Sequence, residues 1–500
     1  MGKIIVAVFF LFLAPYYAAA QDFTLDVKEY RLSNGMKVLV CEKHDSPTMT
    51  LFMSFHVGSV NETDGNTGLS HFLEHMMFKG TPFVGTKDYE AEIPLMKQID
   101  SAYVKIDAEL AKPENIRDKP LVTDLEKSAT DVEKQLKQFL VKDELWSLYL
   151  KNGGTGLNAS TGQDSTQYYV SLPSNRLELW LALETDRIMH PVFREFYSER
   201  NVIQEERRMR VEDNPAGLLY ERFNATAMTL HPYRHPVIGW MADIRQLSKK
   251  AMEDYFKIYY APNNCTAIIV GDVDANETMK LVKQYFEKIP KGPETPPIKV
   301  IEPPQKGERR IQLLYDANTQ IVIGYHTPEL KHPDQPVLEI ISMLLTDGAS
   351  SRMHKKLVID NKLCTSINTD ESGRQFPNLF EISASPLARH TPEEVEAAIY
   401  EELELLKTSP VGDYELEKVR NKIRAGQIRS METNGGIAWQ IHYYETQASN
   451  WQFMHDHYQR KLAVTAADIQ RVAKKYFTDG NKTVGILQKP ENGPEPKENH

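Results

Sequence analysis

The chain has 500 residues, 41% of them hydrophobic and 26% charged, which is more than one core can organise, so two or more folded domains are expected and wholesale disorder is excluded. A formal net charge of -10 gives no electrostatic basis for gripping a phosphate backbone, which argues against nucleic acid as a partner and leaves peptides or other proteins. Cys41, Cys265 and Cys364 are far apart and odd in number, so they supply neither a disulfide framework nor a cysteine zinc cluster.

Taken in chain order, residues 1–20 (MGKIIVAVFFLFLAPYYAAA) carry one lysine, a short apolar run broken by Pro15 and a small-residue end, which predicts a signal peptide cleaved after Ala20. No later stretch is apolar for long enough to span a bilayer, so the mature chain is expected to be exported without membrane insertion. The scarcity of cysteine suits a bacterial periplasm, with the extracellular space as the other destination. Residues 22–289 form a first domain, with a helical hairpin predicted near 91–150 from apolar residues at helical spacing and a proline-bearing break near 113–120. Residues 290–309 are rich in proline and glycine and read as an extended linker, 310–489 form a second domain, and 490–500 a flexible tail.

The two domains resemble each other. YYAPNNCTAIIVG (259–271) aligns without gaps on YFTDGNKTVGILQ (476–488), and MSFHVGS (53–59) on IGYHTPE (323–329). The expected fold class is therefore α+β, two homologous α/β domains, each an antiparallel-type sheet packed with helices. Carried forward, the second match sets Ile341–Leu345 against His71–His75, so the first copy replaces core-type residues with ionisable ones.

That stretch, SHFLEHMMFKG (70–80), is the main chemical signal. On a helix each residue turns by about 100°, so His71, Glu74 and His75 share one face. Two imidazoles four apart can hold a zinc ion, while Glu74 can take a proton from a water bound there. A surface helix with scattered histidines is the plain alternative. Zinc needs a third protein ligand, and YSERNVIQEERRMRVEDNP (197–215) offers one: Val202, Ile203 and Met209 make an apolar stripe into which Glu206 falls, with Glu199 nearly in line with it and placed to orient a ligand histidine. Periodicity alone leaves the partner of Glu206 open between a metal and one of the helix's own arginines. HPYRH (231–235) also has histidines four apart, but Pro232 and Pro236 argue against a regular helix and against a second metal site.

GLSHFLEHMMFKGT (68–81), GLNASTGQDSTQYYVSLP (156–173), ERNVIQEE (199–206), HPYRHPVIG (231–239) and YYAPNNCTAIIVGDV (259–273), occurring in this order, resemble the pitrilysin/insulinase-like zinc peptidases, in particular two-domain members of the mitochondrial processing peptidase type. The resemblance covers nearly the whole mature chain. It implies a zinc metalloendopeptidase with His71, His75 and Glu206 as ligands, Glu74 as general base and Glu199 as the supporting acid. Extended peptide substrates are expected to add to the edge of LNAST (157–161), where Asn158 and Ala159 would contact them. The chain departs from the family twice. Glu206 lies farther from His75 than is usual, which the hairpin accounts for. KKLVIDNKLCTSI (355–367) puts Val358 and Thr365 where the family has a substrate-binding arginine and tyrosine. The resemblance thus implies a heterodimer in which a related subunit supplies the missing pair. A non-catalytic scaffold or peptide-binding subunit of the same fold is the rival reading, and a metal-storage protein a weaker one, since Glu74 would have no purpose there.

Overall fold

The computed structural model describes residues 25–490; the expected signal segment and the tail beyond Pro490 lie outside the described residues. Thr48–Phe55 and Cys265–Gly271 are buried at nearly every position, which requires cover on both faces of the sheet they share. That first sheet has the order β1-β2-β6-β3-β5-β4, with β1 Val27–Arg31, β2 Lys37–Glu42, β3 Thr48–Phe55, β4 Thr155–Thr161, β5 Thr166–Pro173 and β6 Cys265–Gly271. The second has the order β7-β11-β8-β10-β9, with β7 Arg309–Leu314, β8 Gln320–Thr327, β9 Cys364–Asp370, β10 Asn378–Pro386 and β11 Lys482–Gln488. The protein is α+β with two domains. Both sheets are mixed: β2 runs parallel to β6 and β7 to β11, while the other pairings are antiparallel. Each parallel pair joins strands separated by long helical connections, which is the spacing that such pairing needs.

The internal repeat is visible in the strand register. Phe55 pairs with Cys265 in the first sheet and Tyr325 with Lys482 in the second, so both sequence matches fall on the same structural positions. The helices that lead into the last strands, Lys249–Tyr259 and Ala466–Tyr476, have equal length and equivalent ends.

Each half lends a helix to the other. Pro215–Ala227, from the first half, packs Leu219 and Phe223 on Val322, Leu379 and Leu487 of the second sheet. In return Asn434–Gln447 packs Ile437, Ala438 and Ile441 on Leu39, Phe52, Ile268 and Val270 of the first. The fit is close: a methyl group at Gly324 would come within 2.6 Å of the Phe223 ring.

The hairpin consists of helices Tyr89–Leu110 and Lys119–Leu136, followed by Glu144–Lys151. Its turn is closed by Asp118, whose side chain accepts from Leu121 N at 3.0 Å, with Pro120 in the first helical turn where no amide is needed. Ile99 and Ile106 face Val122, Ala129 and Leu136, a seven-residue spacing that gives two antiparallel helices one narrow seam. Residues 290–308 carry neither helix nor strand, and the stretch is tied down: Glu302 accepts the backbone N–H groups of Thr229, Leu230 and His231 at 2.6, 2.8 and 2.9 Å. Among the described residues no helix is long and apolar enough to cross a membrane.

Candidate metal centre

The motif helix, Leu69–Met76, starts at Gly68, whose φ of 87° suits glycine and whose place against Ile238 leaves no room for a Cβ. Its first amides are held by a buried acid, Glu62, which accepts from Gly68 N at 2.8 Å and Ser70 N at 2.7 Å. Burial pushes the Glu62 carboxyl up to about 8 despite these bonds. Leu69, Phe72, Leu73 and Met76 turn into the core. That leaves His71, Glu74 and His75 on the face toward β4 and toward a second helix, Phe196–Arg207.

This second helix corrects the expected apolar stripe. Val202 and Met209 are 49% and 67% exposed, and of the three stripe residues only Ile203 is buried. The buried face is built instead from Phe196, Tyr197, Arg200, Ile203 and Arg207. The arginines can sit there because distant acids meet them: Asp107 pairs with Arg200 at 3.0 Å and Glu221 with Arg207 at 2.7 Å. After Arg207 the helix widens into a π-type turn, Arg208–Glu212, which carries Met209 out to solvent. Glu206 lies beside that arginine-lined face and points at the motif helix, while Glu205 is 65% exposed.

His71, His75 and Glu206 converge, with one ligand atom from each within 4.8 Å of the others. His71 Nε2 is 3.7 Å from Glu206 Oε1 and His75 Nε2 is 3.6 Å from Glu206 Oε2. These separations are too long for hydrogen bonds. They are close to the ligand–ligand edge of about 3.3 Å in a tetrahedral site with bonds of about 2.0–2.1 Å. His71 Nδ1 and Glu206 Oε2 are buried without a hydrogen-bond partner. Two imidazole nitrogens and a carboxylate oxygen, drawn together but not bonded to one another, fit a zinc ion. Glu206 also pairs with Arg210 at 2.7 Å, so the arginine alternative is present too; Arg210 is 66% exposed and such pairs are weak.

Around this group the supporting contacts are specific. Glu199 Oε1 bonds His75 Nδ1 at 2.9 Å, leaving Nε2 as the free nitrogen on the Glu206 side. Lys79 Nζ in turn lies 2.7 Å from Glu199. Burial would raise the Glu199 carboxyl, but His75 and Lys79 bring it down to about 2. Burial, helped by the charges of His75 and Arg210, lowers His71 to about 3. For His75, burial pulls down while Glu199, Glu206 and Glu74 outweigh it, so the ring is raised. Burial raises Glu74, against the opposing hydrogen bond from Thr161, whose Oγ1 donates to Glu74 Oε2 at 2.6 Å.

β4 is the edge strand of its sheet and ends at Thr161, beside Glu74. Asn158 is exposed there, and its Oδ1 accepts from Ala159 N at 2.9 Å. Val358 packs against the second core and Thr365, on β9, donates to Ser385 O at 3.1 Å. His231 and His235 do not join a metal-type cluster among the described residues. Sequence reasoning missed Lys79, Arg210 and Thr161. Arg210 is four residues past Glu206, so helical spacing could have singled it out among the helix's arginines; Lys79 and Thr161, whose partners lie on other elements, carry no local signal.

Two family models match the chain. One described as insulinase (peptidase family M16) matches residues 37–108 and 141–239, and one described as peptidase M16 inactive domain matches 246–423. The interval 109–140 that the first leaves out holds the hairpin's second helix and the turn before it. The zinc protease PqqE of Helicobacter pylori is 29% identical over 94% of both chains. A probable beta subunit of the mitochondrial-processing peptidase from Arabidopsis thaliana is 22% identical, covering 94% of this chain and 80% of its own. The crystal structure of a protease from Helicobacter pylori superposes with a TM-score of 0.78 at 27% identity, covering 93% of this chain and all of that one.

Proposed function

We propose, on the premise that the chain belongs to the insulinase family of peptidases, M16, that it is a zinc-dependent endopeptidase subunit acting on extended peptides. The observation that carries this reading is the convergence of His71 Nε2, His75 Nε2 and the Glu206 carboxylate, whose Oε2 is buried without a hydrogen-bond partner. These three residues would hold zinc. Zinc, once bound, acidifies a water molecule and polarises the scissile carbonyl. Glu74 takes the proton of the attacking water on its carboxylate while Thr161 holds that group in place, and it returns the proton to the departing amine. Glu199 keeps His75 in the tautomer that offers Nε2.

The peptide would lie along β4 as an added strand, paired through backbone groups at Asn158 and Ala159, with the Asn158 side chain releasing the Ala159 N–H. Val358 and Thr365 offer neither the charge nor the phenol that the resemblance calls for, so a related subunit would complete the substrate site. Export, and a periplasmic place of action, rest on the sequence of residues 1–20. The zinc-bearing unit is taken as 22–289 and its non-ligating copy as 310–489.

The test is metal content together with one substitution. The purified chain should carry close to one zinc, and Glu74→Gln should keep it while turnover of peptides falls by about 10²–10⁴-fold. A fully active Glu74→Gln variant would refute the assigned base. The absence of the arginine and tyrosine favours a second reading, a non-catalytic scaffold or peptide-binding subunit. Stoichiometric zinc with no turnover, even alongside the related subunit, would support it.

A further inference from the structure

The helix that bears Glu199 and Glu206 has weak ends. It begins at Glu195, whose φ of 55° is unusual for a residue with a side chain, and widens into the π-type turn immediately after Arg207. Its place is therefore fixed from the sides. On one side it meets the motif helix through Phe196 on Phe72 and Glu199 on His75. On the other it meets the hairpin. The Tyr103 ring lies parallel to Tyr197, 3.8 Å between centroids and 7° between planes. Both Asp107 oxygens accept from the Arg200 guanidinium, at 3.1 and 3.0 Å, and Arg200 also donates to Leu247 O at 3.1 Å. The buried guanidinium sits 5.3 Å from the Tyr197 ring centre and 5.9 Å from that of Tyr103.

Tyr103 and Asp107 are carried by the first hairpin helix, and the second, packed along the narrow seam, stiffens it. That second helix falls within the interval the family model leaves out. We propose that the hairpin is a brace for the metal centre, with Tyr103 and Asp107 as positioning residues that hold Glu206 and Glu199 through Tyr197 and Arg200. The inference rests on the zinc reading above. A bidentate ion pair and a face-to-face ring contact resist both sliding and rolling of the helix, the two motions that would carry Glu206 away from the imidazoles. Ligand geometry tolerates displacements of only about 0.5 Å.

The experiment measures zinc affinity by chelator competition and amide hydrogen exchange across residues 200–212, the latter on metal-free protein. Asp107→Ala and Tyr103→Ala should each weaken zinc about tenfold and speed exchange in that segment. Asp107→Glu should recover most of the loss, as a purely structural defect would not. Asp131→Ala, on the exposed outer face of the second hairpin helix, should match the parent. Zinc affinity within about twofold of the parent for both alanine variants, or unchanged exchange, overturns the brace. A parent chain that takes up no zinc overturns the zinc reading instead, and the exchange measurement on metal-free protein still decides the brace.

Discussion

The same pair of helices occurs twice in this molecule, with opposite contents. In the first half the motif helix and Phe196–Arg207 bring together His71, Glu74, His75, Glu199 and Glu206. Counting from the paired strands, the second half has Ile341, Leu344 and Leu345 on Gln335–Thr346, and Leu416 and Ile423 on Asp413–Ser430. All five are buried in one apolar cluster. The fold is thus built without any ionisable group at these places, and the polar set in the first half is an addition that packing does not ask for. Buried charges without a cation are costly, and well-packed apolar residues in their place are often neutral or stabilising.

The strongest way to break the comparison is to erase it. Replacing His71→Ile, His75→Leu and Glu206→Ile should abolish zinc uptake and peptide turnover while leaving the metal-free protein as stable as the parent or up to about 1–4 kcal/mol more so, measured by urea unfolding. A large loss of stability would mean that the polar set supports the fold as well as the chemistry. The reverse exchange, Ile341→His, Leu345→His and Ile423→Glu, should cost about 3–5 kcal/mol, because no counterpart of Glu199 or Lys79 exists to receive the new groups.

Smaller changes sharpen the contrast. Glu199→Gln keeps the shape of the side chain but loses its charge, and should weaken zinc about 10–100-fold without unfolding the protein. Finally, His71, lowered to about 3 by burial, should stay neutral in the metal-free protein between about pH 5 and 8. Imidazole NMR signals check this. A midpoint near the ordinary histidine value would place the ring in water.

The motif helix, the hairpin and the repeat were legible in the sequence because each depends on local period or on two similar strings. The Phe196–Arg207 helix was read less well. From sequence its stripe reads as Val202, Ile203 and Met209, because arginine and tyrosine count as surface residues until their partners are known. Asp107 and Glu221, which let Arg200 and Arg207 go inside, lie far away along the chain. Thr161 escaped for the same reason, since its hydrogen bond to Glu74 depends on where the edge strand meets the motif helix. The parallel pairs in both sheets and the exchange of helices between halves were equally hidden: an amphipathic pattern shows that a face is covered, not by what.

That exchange has a consequence for biosynthesis. The face of the first sheet formed by Leu39, Phe52, Ile268 and Val270 is complete long before the ribosome reaches Ile437, Ala438 and Ile441. Until then the nascent protein presents a sticky apolar surface, open to chaperones and to neighbouring copies. Maturation of the front portion therefore waits for the back portion to emerge.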